Sequence, residues 1–222
     1  MTQLFFDFDG TIANSEQGIV AGIKYFVKKM QLTPLTNDQY RLFIGPTLSA
    51  SMHQFYPTLD NAAVKRAIDL YQEYYADQGI FEMQIYPGVI PVLQQLHAAG
   101  FTMNVASTKP EAMIDRIVQH FDLNPYFSGL YGATMDESIR SSKTDVLAYA
   151  LKEADAAVSN SIMIGDRNTD MIGGRDNGVP TIGVLYGFGD RSELSAAGAD
   201  VIVSQPRDIP AGIEEILVGS VK

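Results

Sequence analysis

Asp7 and Asp9 stand one residue apart where an apolar run, Leu4-Phe5-Phe6, gives way to Gly10 and Thr11. On a strand, residues i and i+2 point to the same side, so these two carboxylates start out aimed alike. Two like charges this close at the edge of a core require a cation or a proton between them. A second acidic pair, Asp166 and Asp170, has the four-residue spacing that puts side chains on one face of a helix. Between the pairs come two hydroxyls, Ser107 and Thr108, and the lysines Lys109 and Lys143. There is no cysteine, and His53, His97 and His120 lack ligand spacing, so they are read as surface or packing residues. Oxygen donors alone favour a hard divalent ion, Mg²⁺ above all.

The elements that must position these groups alternate. Apolar stretches over 101–106, 129–133, 161–165, 181–185 and 200–203 read as strands. Helical spacing covers 89–99, the stretch from Pro110 to about 121, then 142–153, 168–177, 191–197 and 208–218. Such alternation builds βαβ units around a parallel sheet, a Rossmann-like α/β core. Asp7/Asp9, Ser107/Thr108 and Asp166/Asp170 all fall at the carboxyl ends of these strands, where open parallel sheets bind ligands. Residues from about 36 to 79 read as helical in short pieces and carry no strand pattern. Ile19, Ile23, Phe26, Val27 and Met30 recur at helical spacing, Gly45-Pro46 and Pro57 punctuate shorter helices, and residues 61–78 form a long amphipathic one. The expected division is a core of residues 1–14 and 82–222 with an all-helical insert at 15–81.

The chain has 222 residues, 46% of them hydrophobic, enough for one or two domains. Its net charge of −10 argues against a nucleic acid or an anionic membrane as partner. The absence of cysteine excludes disulfides, thiolate metal sites and cysteine nucleophiles. No signal-peptide pattern and no apolar run of about 20 residues is visible, so the expectation is a cytoplasmic protein, monomer or homodimer.

Asp7-Phe8-Asp9-Gly10-Thr11, Ser107, Lys143 and Gly165-Asp166 through Asp170, in that order, resemble the four motifs of the haloacid dehalogenase (HAD) superfamily, and the likeness spans nearly the whole chain. The helical insert is similar to that superfamily's C1 cap. The resemblance implies an aspartyl-phosphate mechanism with Asp7 as nucleophile. It implies Asp9 as acid and then base, oriented by Thr11. Ser107 and the backbone of Thr108 would hold phosphoryl oxygens, Lys143 would neutralise charge, and Mg²⁺ would bind Asp7, the Asp9 carbonyl, Asp166 and Asp170. The charges agree with this. Asp7, Asp166 and Asp170 carry three negative charges and a phosphate monoester adds nearly two, whereas Mg²⁺ and Lys143 together return three.

Within the superfamily, Asp9 argues against the dehalogenase branch, which lacks the second acid. Thr11 argues against a phosphomutase, the alternative enzyme reading. A receiver-type phosphoacceptor module is the alternative from another class, and the insert of about 65 residues argues against it. What is left is a phosphatase of a small phosphorylated metabolite. Phe43-Ile44-Gly45-Pro46, Ser107-Thr108-Lys109-Pro110 and Gly183 through Gly189 resemble the phosphoglycolate-phosphatase-like group and its 5′-nucleotidase-like branch. Arg41 and Gly45 in the insert, and Lys109 in the core, are the candidates for contacts with the rest of the substrate.

Overall fold

The computed structural model describes residues 2–136 and 138–219. The chain forms two compact units, one of residues 1–13 and 85–222 and one of residues 14–84.

The first unit is α/β. Its sheet takes strands β1 (Gln3–Phe6), β4 (Thr102–Pro110), β5 (Gly129–Ala133), β6 (Ser161–Gly165), β7 (Thr181–Val184) and β8 (Val201–Val203) in the order β5-β4-β1-β6-β7-β8. Two-residue strands β2 (Ala13–Asn14) and β3 (Gln84–Ile85) mark the two passages between the units. All neighbouring pairs in the large sheet are parallel. Helices α5 (Val89–Ala98), α6 (Glu111–His120), α7 (Lys143–Glu153), α8 (Asn168–Asp176) and α9 (Arg191–Ala196) lie between its strands, and α10 (Ile209–Gly219) follows β8. A parallel sheet covered on both faces needs strands apolar throughout, and Leu4, Phe5 and Phe6 are all buried. Phe5, Ala106 and Met163 pack with Val146, Leu147 and Ala150 of α7.

Register fixes the site. Phe6 pairs with Val105 on one side and Ile164 on the other, so the chain leaves β1, β4 and β6 at one level. The Asp7 N–H still donates to Ile164 O at 2.9 Å. Strand β4 runs past the expected end at residue 106. A bulge between Ala106 and Pro110 lets pairing resume at Pro110 and Ala133, and it carries Ser107, Thr108 and Lys109 out of the regular ladder.

The second unit is helical, with α1 (Glu16–Lys29), α2 (Asn37–Arg41), α3 (Leu48–Phe55) and α4 (Asn61–Tyr75). Thr36, Thr47 and Asp60 each cap a helix by accepting from the N–H three residues on. Ile19, Ile23, Phe26 and Val27 form the buried stripe of α1. Helix α4 stops three residues before the expected end. The Gln78 and Phe81 N–H groups donate to Tyr74 and Gln78 carbonyls instead, which leads the chain into a short 3₁₀ turn. Among the described residues no helix is long and apolar enough to cross a membrane.

Candidate active site

Asp7 follows β1 directly and is buried. Lys143 reaches it from the first turn of α7, with Nζ 2.6 Å from Asp7 Oδ1 and 2.8 Å from Asp170 Oδ1, and donates to Ala106 O at 3.1 Å. A lysine in the first turn opposes the helix dipole, which favours cations at the other end. Ser142 nevertheless starts α7 at this point, its hydroxyl accepting from the Asp145 N–H. The Lys143 side chain is 3% exposed, so its cation serves the carboxylates and not solvent. Burial alone would lower its pKa, but Asp170 and Asp7 outweigh that and hold it above the ordinary lysine value.

Asp166 directly follows β6, and Asp170 sits in the first turn of α8. Both are fully buried. Asp170 Oδ2 accepts from the Arg167 N–H at 3.0 Å. Burial, with Asp7 nearby, pushes the Asp170 carboxyl up to about 6 although Lys143 pulls the other way. Burial, then Asp170 and Asp7, also hold the Asp166 carboxyl well above the usual carboxylate range. Carboxylate oxygens of Asp7, Asp166 and Asp170 lie within 4.8 Å of one another. Asp7 Oδ1 and Asp170 Oδ1 meet Lys143 at ion-pair distance without aligned hydrogen bonds, and buried Asp9 Oδ1 has no hydrogen-bond partner. Three buried carboxylates against one lysine, with oxygen donors only, fit a hard divalent cation.

Asp9 faces a different cation. Lys109 Nζ lies 3.1 Å from Asp9 Oδ2, with the lysine side chain 5% exposed. Ser107 is buried and its hydroxyl accepts from the Lys109 N–H at 3.4 Å, while Thr108 is half-buried. Thr11 turns its hydroxyl to Asp166, donating to Oδ1 at 3.3 Å. The structure thus groups Asp7, Asp166 and Asp170 with Lys143, sets Thr11 on Asp166 and pairs Lys109 with Asp9, with Ser107 and Thr108 on the bulge that also carries Lys109. Arg41 and Gly45 belong to the helical unit. There Arg41 Nε lies 2.7 Å from Glu16 Oε1, and Gly45 has a φ of +106°.

One participant escaped the sequence reading. The loop after β7 supplies the Phe188 N–H, which donates to Asp166 Oδ2 at 2.7 Å. A Cβ at Gly187 would lie 2.3 Å from Gly10 O and 2.4 Å from Asp166 Cβ. Only glycine lets this backbone approach so closely. The Gly-Phe-Gly run was the available signal, but spacing does not reveal that it meets residues 10 and 166.

Gly10 is constrained twice. Its φ is +92°, and a Cβ would fall 2.1 Å from Asp166 Oδ2. Gly10→Ala is therefore expected to destabilise the protein by about 2–4 kcal/mol, the sum of left-handed strain and a displaced buried carboxylate. Denaturant unfolding measures it, and a loss below about 0.5 kcal/mol would contradict the tight fit.

Comparison with known proteins follows the same lines. A model of haloacid dehalogenase-like hydrolases matches residues 4–184. A 5′-nucleotidase of Pseudomonas aeruginosa is 32% identical over 193 residues, which cover 87% of this chain and 86% of that protein. A phosphoglycolate phosphatase of Caulobacter vibrioides is 31% identical over 214 residues, covering 92% and 87%. The crystal structure of a predicted phosphatase from Clostridium acetobutylicum has 36% identity and a TM-score of 0.92, covering 96% of this chain and 98% of that one.

Proposed function

The chain belongs to the haloacid dehalogenase-like hydrolases and is a phosphatase, and on that premise we propose that it is a Mg²⁺-dependent phosphomonoesterase acting through an aspartyl-phosphate on Asp7. The observation that carries this reading is the buried Asp7 carboxylate, paired with Lys143 inside the Asp7–Asp166–Asp170 cluster and followed two residues later by a second acid.

Asp7 attacks phosphorus. A bond forms between its carboxylate oxygen and phosphorus as the bond to the ester oxygen breaks. Asp9 gives the departing alkoxide a proton. It then takes one from the water that attacks phosphorus, which frees Asp7 and releases inorganic phosphate. Lys143 offsets the charge on Asp7 and the phosphoryl group, and Ser107 and Thr108 hold phosphoryl oxygens. Asp7, Asp166, Asp170 and the Asp9 main-chain carbonyl would hold Mg²⁺, which supplies the positive charge that lets an anionic nucleophile approach an anionic ester. Thr11 and the Phe188 N–H fix Asp166. The Lys109 ammonium keeps Asp9 in place between its two proton transfers.

The substrate is a small phosphorylated metabolite. A short phosphorylated hydroxy acid such as phosphoglycolate and a nucleoside 5′-monophosphate are the two classes to which the relatives' names point. The test is hydrolysis of p-nitrophenyl phosphate with Mg²⁺ and with EDTA, followed by a panel containing both classes. Equal rates with and without chelator would overturn the metal dependence.

A second expectation concerns pH. In the metal-free protein, Asp166 and Asp170 hold protons more tightly folded than unfolded. Their contribution to stability is therefore present below the ordinary carboxylate pKa. It is lost as pH rises through the raised folded value, about 6 for Asp170. Mg²⁺ needs the ionised carboxylates, so its stabilisation grows over the same interval. Thermal melts should show a Mg²⁺-induced rise that is clearly larger near pH 7.5 than near pH 5. An equal rise at both would contradict this binding set.

A further inference from the structure

Arg140 is unlike its neighbours. It is a non-glycine residue with a φ of +59°, a conformation that L side chains adopt only when something holds them there. Its guanidinium makes three contacts to three elements. Nε donates to Gly132 O of β5 at 2.6 Å. Nη2 lies 3.5 Å from Glu111 Oε2, at the first residue of α6. The guanidinium carbon stands 4.0 Å from the centre of the Tyr149 ring on α7. Glu111 in turn accepts from the Gly132 N–H at 3.3 Å through its other oxygen. The side chain of Arg140 is only 18% exposed.

Each end of this clamp leads to the active site. Arg140 lies three residues before Lys143, whose helix it abuts through Tyr149. Glu111 opens the helix that follows the bulge bearing Ser107, Thr108 and Lys109. The loop between β5 and Arg140 closes on itself, the Thr134 N–H donating to Ile139 O at 3.2 Å, so Arg140 is delivered next to the β5 end it grips. We propose that Arg140 is a positioning residue that, with Glu111, holds the helix bearing Lys143 and the bulge bearing Ser107 in one frame, so that both meet the same phosphoryl group.

This inference rests on the phosphatase reading for its catalytic consequence but not for its binding consequence. The test uses the full chain as Arg140→Gly. Glycine accepts the positive φ without strain, so the variant removes the guanidinium and leaves the backbone at ease. The measurements are kcat and KM for p-nitrophenyl phosphate, the dissociation constant of inorganic phosphate from the Mg²⁺-loaded protein, that of Mg²⁺ itself, and the melting temperature. A misplacement on the order of 1 Å costs about 10²-fold in rate. The expected result is a fall in kcat of about 10–100-fold and weaker phosphate binding by about tenfold. Mg²⁺ affinity should stay within about twofold, because Arg140 touches none of the acidic cluster, and added methylguanidinium should restore much of the kcat.

Unchanged kcat and phosphate affinity would overturn the proposal. So would a loss that follows Mg²⁺ affinity and melting temperature downward together and that methylguanidinium does not restore. If Arg140→Gly does not fold, Glu111→Gln decides. It keeps an acceptor for the Gly132 N–H and removes the charge facing Arg140, and it should weaken phosphate binding about 3–10-fold; no change would overturn the proposal. A wild-type protein that hydrolyses no ester but binds phosphate, with that binding weakened in Arg140→Gly, would sink the phosphatase reading and leave the positioning role standing.

Discussion

Asp7→Asn is expected to abolish turnover, with kcat for p-nitrophenyl phosphate falling by about 10⁴-fold or more. Asparagine has nearly the same shape, so packing is preserved while the anionic oxygen that attacks phosphorus in the proposed mechanism is gone. The same change relieves a cost. Asp7 raises both Asp166 and Asp170 by like-charge repulsion within a buried cluster. Removing one of three charges should make the metal-free protein melt higher and bind Mg²⁺ more weakly. Loss of activity with gain of metal-free stability separates a chemical role from a structural one. A metal-free melting temperature that fell along with activity would point to a structural role instead.

Lys143→Ala carries the second largest effect, and its sign on stability is opposite. The ammonium contacts Asp7 and Asp170, so its removal leaves buried carboxylates without a counter-charge. Breaking one side of a buried pair costs about 3–5 kcal/mol. In the proposed mechanism the change also removes the cation that offsets charge on the transferring phosphoryl group, worth about 10³-fold or more. Mg²⁺ should restore much of the lost stability and little of the lost rate, since it can neutralise the acids but does not occupy the lysine's place. Lys143→Arg should not rescue the rate. Lys143 Nζ sits 2.6 Å from Asp7 Oδ1, 2.8 Å from Asp170 Oδ1 and 3.1 Å from Ala106 O, three contacts at one point that a planar, broader guanidinium does not reproduce. Urea unfolding with and without Mg²⁺, beside steady-state kinetics, measures both effects. An alanine variant within tenfold of wild type would remove Lys143 from the chemistry.

The α/β architecture was legible because its strands are short apolar runs separated by helical spacing, and because Asp7, Ser107 and Asp166 each sit just past such a run. What placed those three ends side by side was the strand order, β4-β1-β6 at the centre, which spacing allows but does not dictate. Pairings across the sheet were the illegible part. Sequence offers Lys109 as a group for the substrate, and the structure adds its contact with Asp9, about a hundred residues away in sequence. The hydroxyl of Thr11 meets Asp166, and a main-chain N–H at residue 188 completes that carboxylate's shell. Backbone donors leave no signature in residue type, so the Phe188 contact had only two flanking glycines to announce it. The two-residue strands β2 and β3 were missed for another reason: a pair of residues is too short for any periodicity to register.

On the proposed mechanism Asp7 itself becomes phosphorylated. Rapid quench of the Mg²⁺-loaded enzyme during turnover, borohydride reduction and peptide mass spectrometry test it directly. An acyl phosphate at Asp7 is reduced to homoserine, so that modification is expected at position 7, dependent on substrate and Mg²⁺ and not formed at position 7 in Asp7→Asn. Turnover with no reducible intermediate at Asp7, or with one at Asp9, Asp166 or Asp170 instead, would contradict it.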